Sequence, residues 1–162
     1  MKAGDLVINL ARENWASQRR VKAEDAVPVP SGLDLRQAAM LRINPPTAQL
    51  MLSDLVDLKP GDWVIQNVAN SAVGRLVVIL AKARGLRTVN VTRREDVFPE
   101  LMALGADIVV YSATKHIDGQ GRCLGGVVLG TSEFIEESLH TFLKHTGPSL
   151  SPFNAWVLLK GL

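Results

Sequence analysis

Between Trp63 and Tyr111 the chain alternates between short apolar runs and longer amphipathic stretches closed by glycine. Trp63-Val64-Ile65-Gln66-Asn67, Thr88-Val89-Asn90-Val91 and Ile108-Val109-Val110-Tyr111 each read as a strand. Residues 72–84, closed by Gly85, and 95–104, closed by Gly105, read as helices. Strands that are apolar almost throughout are covered on both faces, and the link between two parallel strands is a right-handed crossover. This alternation predicts an α/β fold around a parallel sheet.

After Lys115 the rhythm changes. Leu124 to Leu129 reads as a strand reached through a turn too short for a crossover helix, so it should run antiparallel. Ser132 is placed to cap a helix from Glu133 to about His145, Gly147-Pro148 breaks it, and Pro152 to Leu162 forms a last helical segment. Upstream, residues 5–9 and 19–29 read as extended, with Val27-Pro28-Val29-Pro30 as a connector. Asp34 caps a helix beginning near Leu35. Asn44, before Pro45-Pro46, starts another that should run to Lys59-Pro60-Gly61-Asp62.

The charge gives no argument for nucleic acid. It totals +2 over 18 basic and 16 acidic residues, and no basic run exceeds a pair. No run approaches the roughly 18 apolar residues of a membrane span. The start, MKAGDLVINLAREN, lacks the apolar core of a signal peptide. Cys123, the only cysteine, has no partner for an internal disulfide. The expectation is a cytoplasmic, or purely recombinant, chain with no nucleic-acid or membrane partner. His116, His140 and His145 lack metal-ligand companions, so no metal site is expected. Trp63 and Trp156 fit apolar core positions, and Trp15 lies beside Arg19 and Arg20.

Two constellations carry chemistry. After the first strand, Asn70-Ser71-Ala72-Val73-Gly74 is a small-residue turn into a helix, where a pyrophosphate can approach backbone N–H groups. Only Gly74 is glycine, so ordinary strand–helix packing explains the turn as well. Arg93 and Arg94 follow the second strand, where an acidic residue would select NAD and arginine can pair with a ribose 2′-phosphate. A solvated basic pair is the other reading. Lys115 follows the third strand, with hydroxyls at Ser112 and Thr114. A Schiff-base lysine beside phosphate-holding hydroxyls and a plain loop lysine both fit those residues.

Asn44-Pro45-Pro46-Thr47-Ala48, Pro60-Gly61-Asp62, Gln66-Asn67, Asn70-Ser71-Ala72-Val73-Gly74 and Gly85-Leu86-Arg87-Thr88 resemble successive blocks of mitochondrial-type 2-enoyl thioester reductases. These belong to the medium-chain dehydrogenase/reductase superfamily. The resemblance covers residues 1–106, from the tail of a substrate domain (1–30) through the first half of a Rossmann domain. It implies pyrophosphate at 70–74 and NADPH 2′-phosphate at Arg93 or Arg94. Ala72 departs from the family's usual glycine. The family's catalytic tyrosine would precede the first residue here, and Tyr111 cannot take that role.

Asp107 through Gly121, Gly125-Gly126-Val127-Val128-Leu129-Gly130 and His145 through Trp156 resemble instead O-succinylhomoserine sulfhydrylases and related γ-lyases. These belong to the Cys/Met-metabolism family of pyridoxal-phosphate (PLP) enzymes. This second resemblance covers 107–162. It implies Lys115 as the Schiff-base lysine, with Ser112 and Thr114 as phosphate ligands. The pyridine-nitrogen aspartate, the stacking aromatic and the carboxylate-binding arginine lie outside that stretch in the family.

The expected architecture is a half-Rossmann three-layer sandwich, with three parallel strands plus an antiparallel edge strand in the order 1-2-3-4. Residues 31–162 form one α/β domain with a fragment junction near 105–107, and 1–30 are a reductase remnant. The expected character is a chimeric, engineered scaffold that is not an enzyme and requires no cofactor. Residual NADP(H) binding and weak PLP binding at Lys115 are the alternatives. Self-association through apolar surfaces exposed by truncation is the expected partner behaviour.

Overall fold

A four-stranded sheet organises the computed structural model, which describes residues 1–12 and 16–161 but not the side chains of Lys115 and His116. Trp15 lies outside the described residues. Strands β1 (Val7–Asn9) and β2 (Ala26–Pro28) pair antiparallel as a separate N-terminal arm. Helices α1 (Leu35–Met40) and α2 (Asn44–Ser53) follow. Then come β3 (Trp63–Gln66), α3 (Ala72–Ala83), β4 (Arg87–Thr92), α4 (Phe98–Leu104) and β5 (Ile108–Tyr111). The last third holds the short helix α5 (Ala113–His116), strand β6 (Val127–Leu129), a π-wound segment Phe134–His140 continuing as α6 (Thr141–Thr146), and α7 (Pro152–Leu159).

The sheet order is β3-β4-β5-β6, with β3, β4 and β5 parallel and β6 antiparallel, as the apolar alternation and the short turn dictate. Each parallel crossover is one helix long and each helix ends on a left-handed glycine. Gly105 has φ +103° and Gly85 φ +69°, a region side chains rarely enter. Residues paired across the ladder share a face, so Val64, Gln66, Thr88, Asn90, Thr92, Val109 and Tyr111 all point to one side. That side is covered. Val78 of α3 and Leu101 of α4 pack with Ala69, Val97, Ala106 and Val109, while Val64 joins a second cluster with α2 and α3.

The first of these clusters crosses the expected junction. Leu101 and Val78 come from before Gly105, and Val109 and Leu129 from after it. A polar contact spans the same stretch: the Thr88 N–H donates to Asp107 Oδ2 at 2.7 Å, tying the start of β4 to the start of β5.

Some local expectations need correction. Helix α2 ends at Ser53, well before Lys59, because the Arg84 guanidinium donates to the Leu52 carbonyl at 2.6 Å and satisfies the helix end there. The cap of the 134–146 helix comes from Thr131, whose hydroxyl accepts from the Phe134 N–H at 3.2 Å, and not from Ser132. Trp63 is 47% exposed and Trp156 55% exposed, so neither is a core residue. Trp63 sits on the outermost strand and on the face away from α3 and α4, with the Arg87 guanidinium 5.5 Å from its ring centroid. The N-terminal arm touches the rest through Arg42, whose guanidinium donates to the Ala11 carbonyl at 2.8 Å.

Candidate functional site

Both constellations lie along the carboxyl edge of the parallel sheet, one after β3 and the other after β5. With β4 between them they are about 10 Å apart, two strand spacings. In open α/β sheets this edge is the usual ligand side.

At the β3 end, Val68 holds a positive φ of 50°, unusual for a branched residue, and the chain then turns into α3. Gly74 is buried where a β-carbon would lie 2.7 Å from the Ala69 carbonyl oxygen, so the helix comes closer to the turn than any side chain permits. The Ser71 hydroxyl accepts from the Gly74 N–H at 3.0 Å, capping α3. A cleft of about 480 Å³ opens beside it, lined by Gln66, Asn67, Ser71, Val73 and Gly74 among others. Asn70 meets the end of β4, with Thr92 Oγ1 3.4 Å from its Oδ1. That contact brings Arg93 and Arg94 alongside the turn. Arg93 is exposed. Arg94 is paired with Asp96, its Nε donating to Oδ1 at 3.0 Å, and this hydrogen bond and the carboxylate charge raise the Arg94 pKa further.

At the β5 end, Ser112 begins α5 without a capping bond from its side chain. Thr114 is buried and bound to the β6 approach: its hydroxyl accepts from the Gly125 N–H at 2.9 Å and its N–H donates to the Gly125 carbonyl at 3.3 Å. Lys115 is the third residue of α5, a helix that the apolar strand pattern does not announce. Of the two hydroxyls implied for a cofactor phosphate, Ser112 is available and Thr114 is engaged inside the fold.

Sequence reasoning missed two polar networks. Asn90, 0% exposed, donates through Nδ2 to Thr88 Oγ1 at 2.9 Å and to the Ile108 carbonyl at 3.2 Å. It accepts from Gln66 Nε2 at 2.7 Å, and Gln66 also donates to the Gly74 carbonyl at 3.0 Å. The period-two run Thr88, Asn90, Thr92 was the available signal.

The second network sits in the turn after α5. The Asp118 side chain, fully buried, accepts from the Arg122 guanidinium at 2.7 Å, from the Arg122 N–H, and from the Cys123 N–H at 3.3 Å. Burial alone would raise this carboxyl, but the hydrogen bonds from Arg122 and Cys123 and the guanidinium charge hold it below its ordinary value. Cys123 moves the opposite way: burial raises the thiol and the Asp118 charge adds to that, against the pull of Arg122. A folded-state pKa below the unfolded one, about 3.9, means stability that is complete above that value and lost as pH falls through the folded one. Melting temperatures followed from pH 5 downward should therefore drop more steeply for the parent chain than for Asp118→Asn. Parallel curves would remove Asp118 from the acid transition.

A family model for Cys/Met metabolism PLP-dependent enzyme matches residues 75–162. Among curated proteins, O-succinylhomoserine sulfhydrylase of Mycobacterium tuberculosis is 64% identical over 59 residues, 36% of this chain and 14% of that protein. Mitochondrial enoyl-[acyl-carrier-protein] reductase of Homo sapiens is 44% identical over 116 residues, 68% of this chain and 31% of that protein. The Thermus thermophilus quinone oxidoreductase, solved alone and with NADPH, is a structural neighbour. It shares 28% identity at a TM-score of 0.50 over 59% of this chain and 32% of its own. The chain thus spans a third or less of each of these relatives. Two similarities share one sheet, and the PLP-enzyme match begins at Arg75, inside α3, upstream of Gly105. Through residues 75–162, the chain belongs to the Cys/Met metabolism PLP-dependent enzyme family.

Proposed function

We propose that this chain is an engineered chimeric α/β scaffold, joined near Gly105–Asp107, that holds no complete active site for either parent chemistry. In this reading residues 1–30 are the remnant of a reductase substrate domain and 31–162 a single domain. One observation carries the reading: three of the side chains that would serve either cofactor already bond within the fold. The Ser71 hydroxyl caps α3, Arg94 pairs with Asp96, and the Thr114 hydroxyl binds the Gly125 backbone. The shared core of Leu101, Val109 and Leu129 supports folding as the property that the join retains. Purified chain should give no turnover with an enoyl thioester and NADPH, nor with O-succinylhomoserine and a sulfide donor. Sustained turnover in either assay would overturn the reading.

A second reading, residual NADP(H) binding, rests on the Thr92–Asn70 contact that sets exposed Arg93 beside the Asn70–Gly74 turn. A charged hydrogen bond to phosphate contributes about 1.5–3 kcal/mol. Arg93→Ala should then weaken NADPH binding by roughly 10-fold or more, while NADH binding, lacking the 2′-phosphate, stays unchanged. Nicotinamide fluorescence titration reads both, and equal loss for the two nucleotides would count against Arg93 as the selecting residue. A third reading, weak PLP binding at Lys115, follows from the family match. It predicts a yellow adduct that Lys115→Ala abolishes and a surface-lysine control, Lys22→Ala, keeps.

A further inference from the structure

The outer edge of β3 is an open strand edge with apolar side chains beside it. β3 is the end member of the sheet, and Trp63-Val64-Ile65-Gln66 contains no lysine, proline or other residue that blunts an edge against pairing. The Arg87 N–H donates to the Asp62 carbonyl at 2.9 Å, so even-numbered positions of this ladder face β4. Backbone groups alternate sides along a strand, which turns the N–H and C=O of Trp63 and Ile65 outward. Two grooves meet along this edge and share Met51, Ile65, Gln66 and Val77 in their walls.

We infer that this edge pairs with the same edge of a second copy, antiparallel about a two-fold axis, making one continuous eight-stranded sheet. The register follows from backbone parity. Outward-facing residues must oppose one another, so Ile65 faces Ile65 of the second copy. No like charges meet in this register, because Asp62, the one charged residue from 61 to 68, falls opposite Val68. The area sets the strength. Met51, Val56, Trp63 and Ile65 are 47%, 58%, 47% and 74% exposed. At about 100 Å² for each aliphatic side chain and about 200 Å² for tryptophan, they offer roughly 270 Å² of apolar surface per copy. Apolar atoms make up a little over half of such contacts, so the total footprint is about 1,000 Å², the lower bound for a specific interface. The dimer is therefore weak and concentration-dependent.

Sedimentation velocity over a concentration series, paired with cross-linking by a short bismaleimide, tests this. The parent chain, whose one thiol Cys123 is buried, should sediment faster as concentration rises and resist cross-linking. Ile65→Lys sets two cations face to face at the axis and should remain monomeric, with an unchanged far-UV circular dichroism spectrum. Phe142→Lys, on α6, should dimerise as the parent does. Ile65→Cys should cross-link into a covalent dimer at concentrations where Leu124→Cys, which is equally exposed, does not. The inference is overturned if the parent stays monomeric throughout, if Ile65→Lys associates like the parent, if Phe142→Lys alone abolishes association, or if the two cysteine variants cross-link equally.

Discussion

Leu101→Ala is expected to lower the unfolding free energy by about 3 kcal/mol, within the ~2–5 kcal/mol range of buried leucine truncations. Leu101 is 0% exposed and sits where α4 meets Val78 of α3 and Val109 of β5. Its side chain lies in the part before Gly105, yet some of the surface it fills, at Val109 and Leu129, comes from the part after it. The truncation therefore weakens the contact between the parts as well as the helix that carries it. Urea titration should show a lower midpoint with an unchanged slope, the sign that stability has changed and the unfolded state has not. A loss under about 1 kcal/mol would mean that the two parts do not share a packed core at this point.

Asn90→Ala should cost about 2–3 kcal/mol, for a different reason. The amide spans all three parallel strands: it accepts from Gln66 on β3, sits on β4, and donates to Ile108 on β5. Alanine leaves the Ile108 carbonyl and the Thr88 hydroxyl short of a partner in the interior, and each such loss costs about 1–3 kcal/mol. Gln66 keeps its bond to the Gly74 carbonyl, so the damage falls on the β4–β5 side. A double-mutant cycle with Gln66→Ala should return a coupling of about 1 kcal/mol. Additive effects would show that the two amides do not act as a pair.

Those two residues mark how far the sequence could be read. The helix that carries Leu101 was legible, because an amphipathic stretch closed by Gly105 lies between two apolar strands. The strands at 63, 88 and 108, their order, and the antiparallel turn-back at 127 were legible for the same reason: periodicity and loop length report burial and direction. Asn90 was not: the period-two run of Thr88, Asn90 and Thr92 shows that the three share a face, but not whether that face meets water or a neighbouring amide. The exposure of Trp63 was hidden too, because a strand's place at the sheet border is a tertiary fact. So was α5, four residues long and too short for any period to register. At the candidate site, the turn at 70–74 and the hydroxyls at 112 and 114 could be located from spacing. That Thr114 binds Gly125, eleven residues further on, depended on how the chain returns as β6.

Every strand of the main sheet pairs with its successor along the chain. Each pairing therefore closes a loop of modest length, and the entropic cost of closure is met in small steps. Such a topology folds from near-neighbour contacts and at low contact order. It can also grow in the order of synthesis, with β3 and β4 joined before β5 has left the ribosome. A strand exchanged for one of similar pattern meets a partner that is already in place. Nothing downstream has to be threaded between strands laid down before.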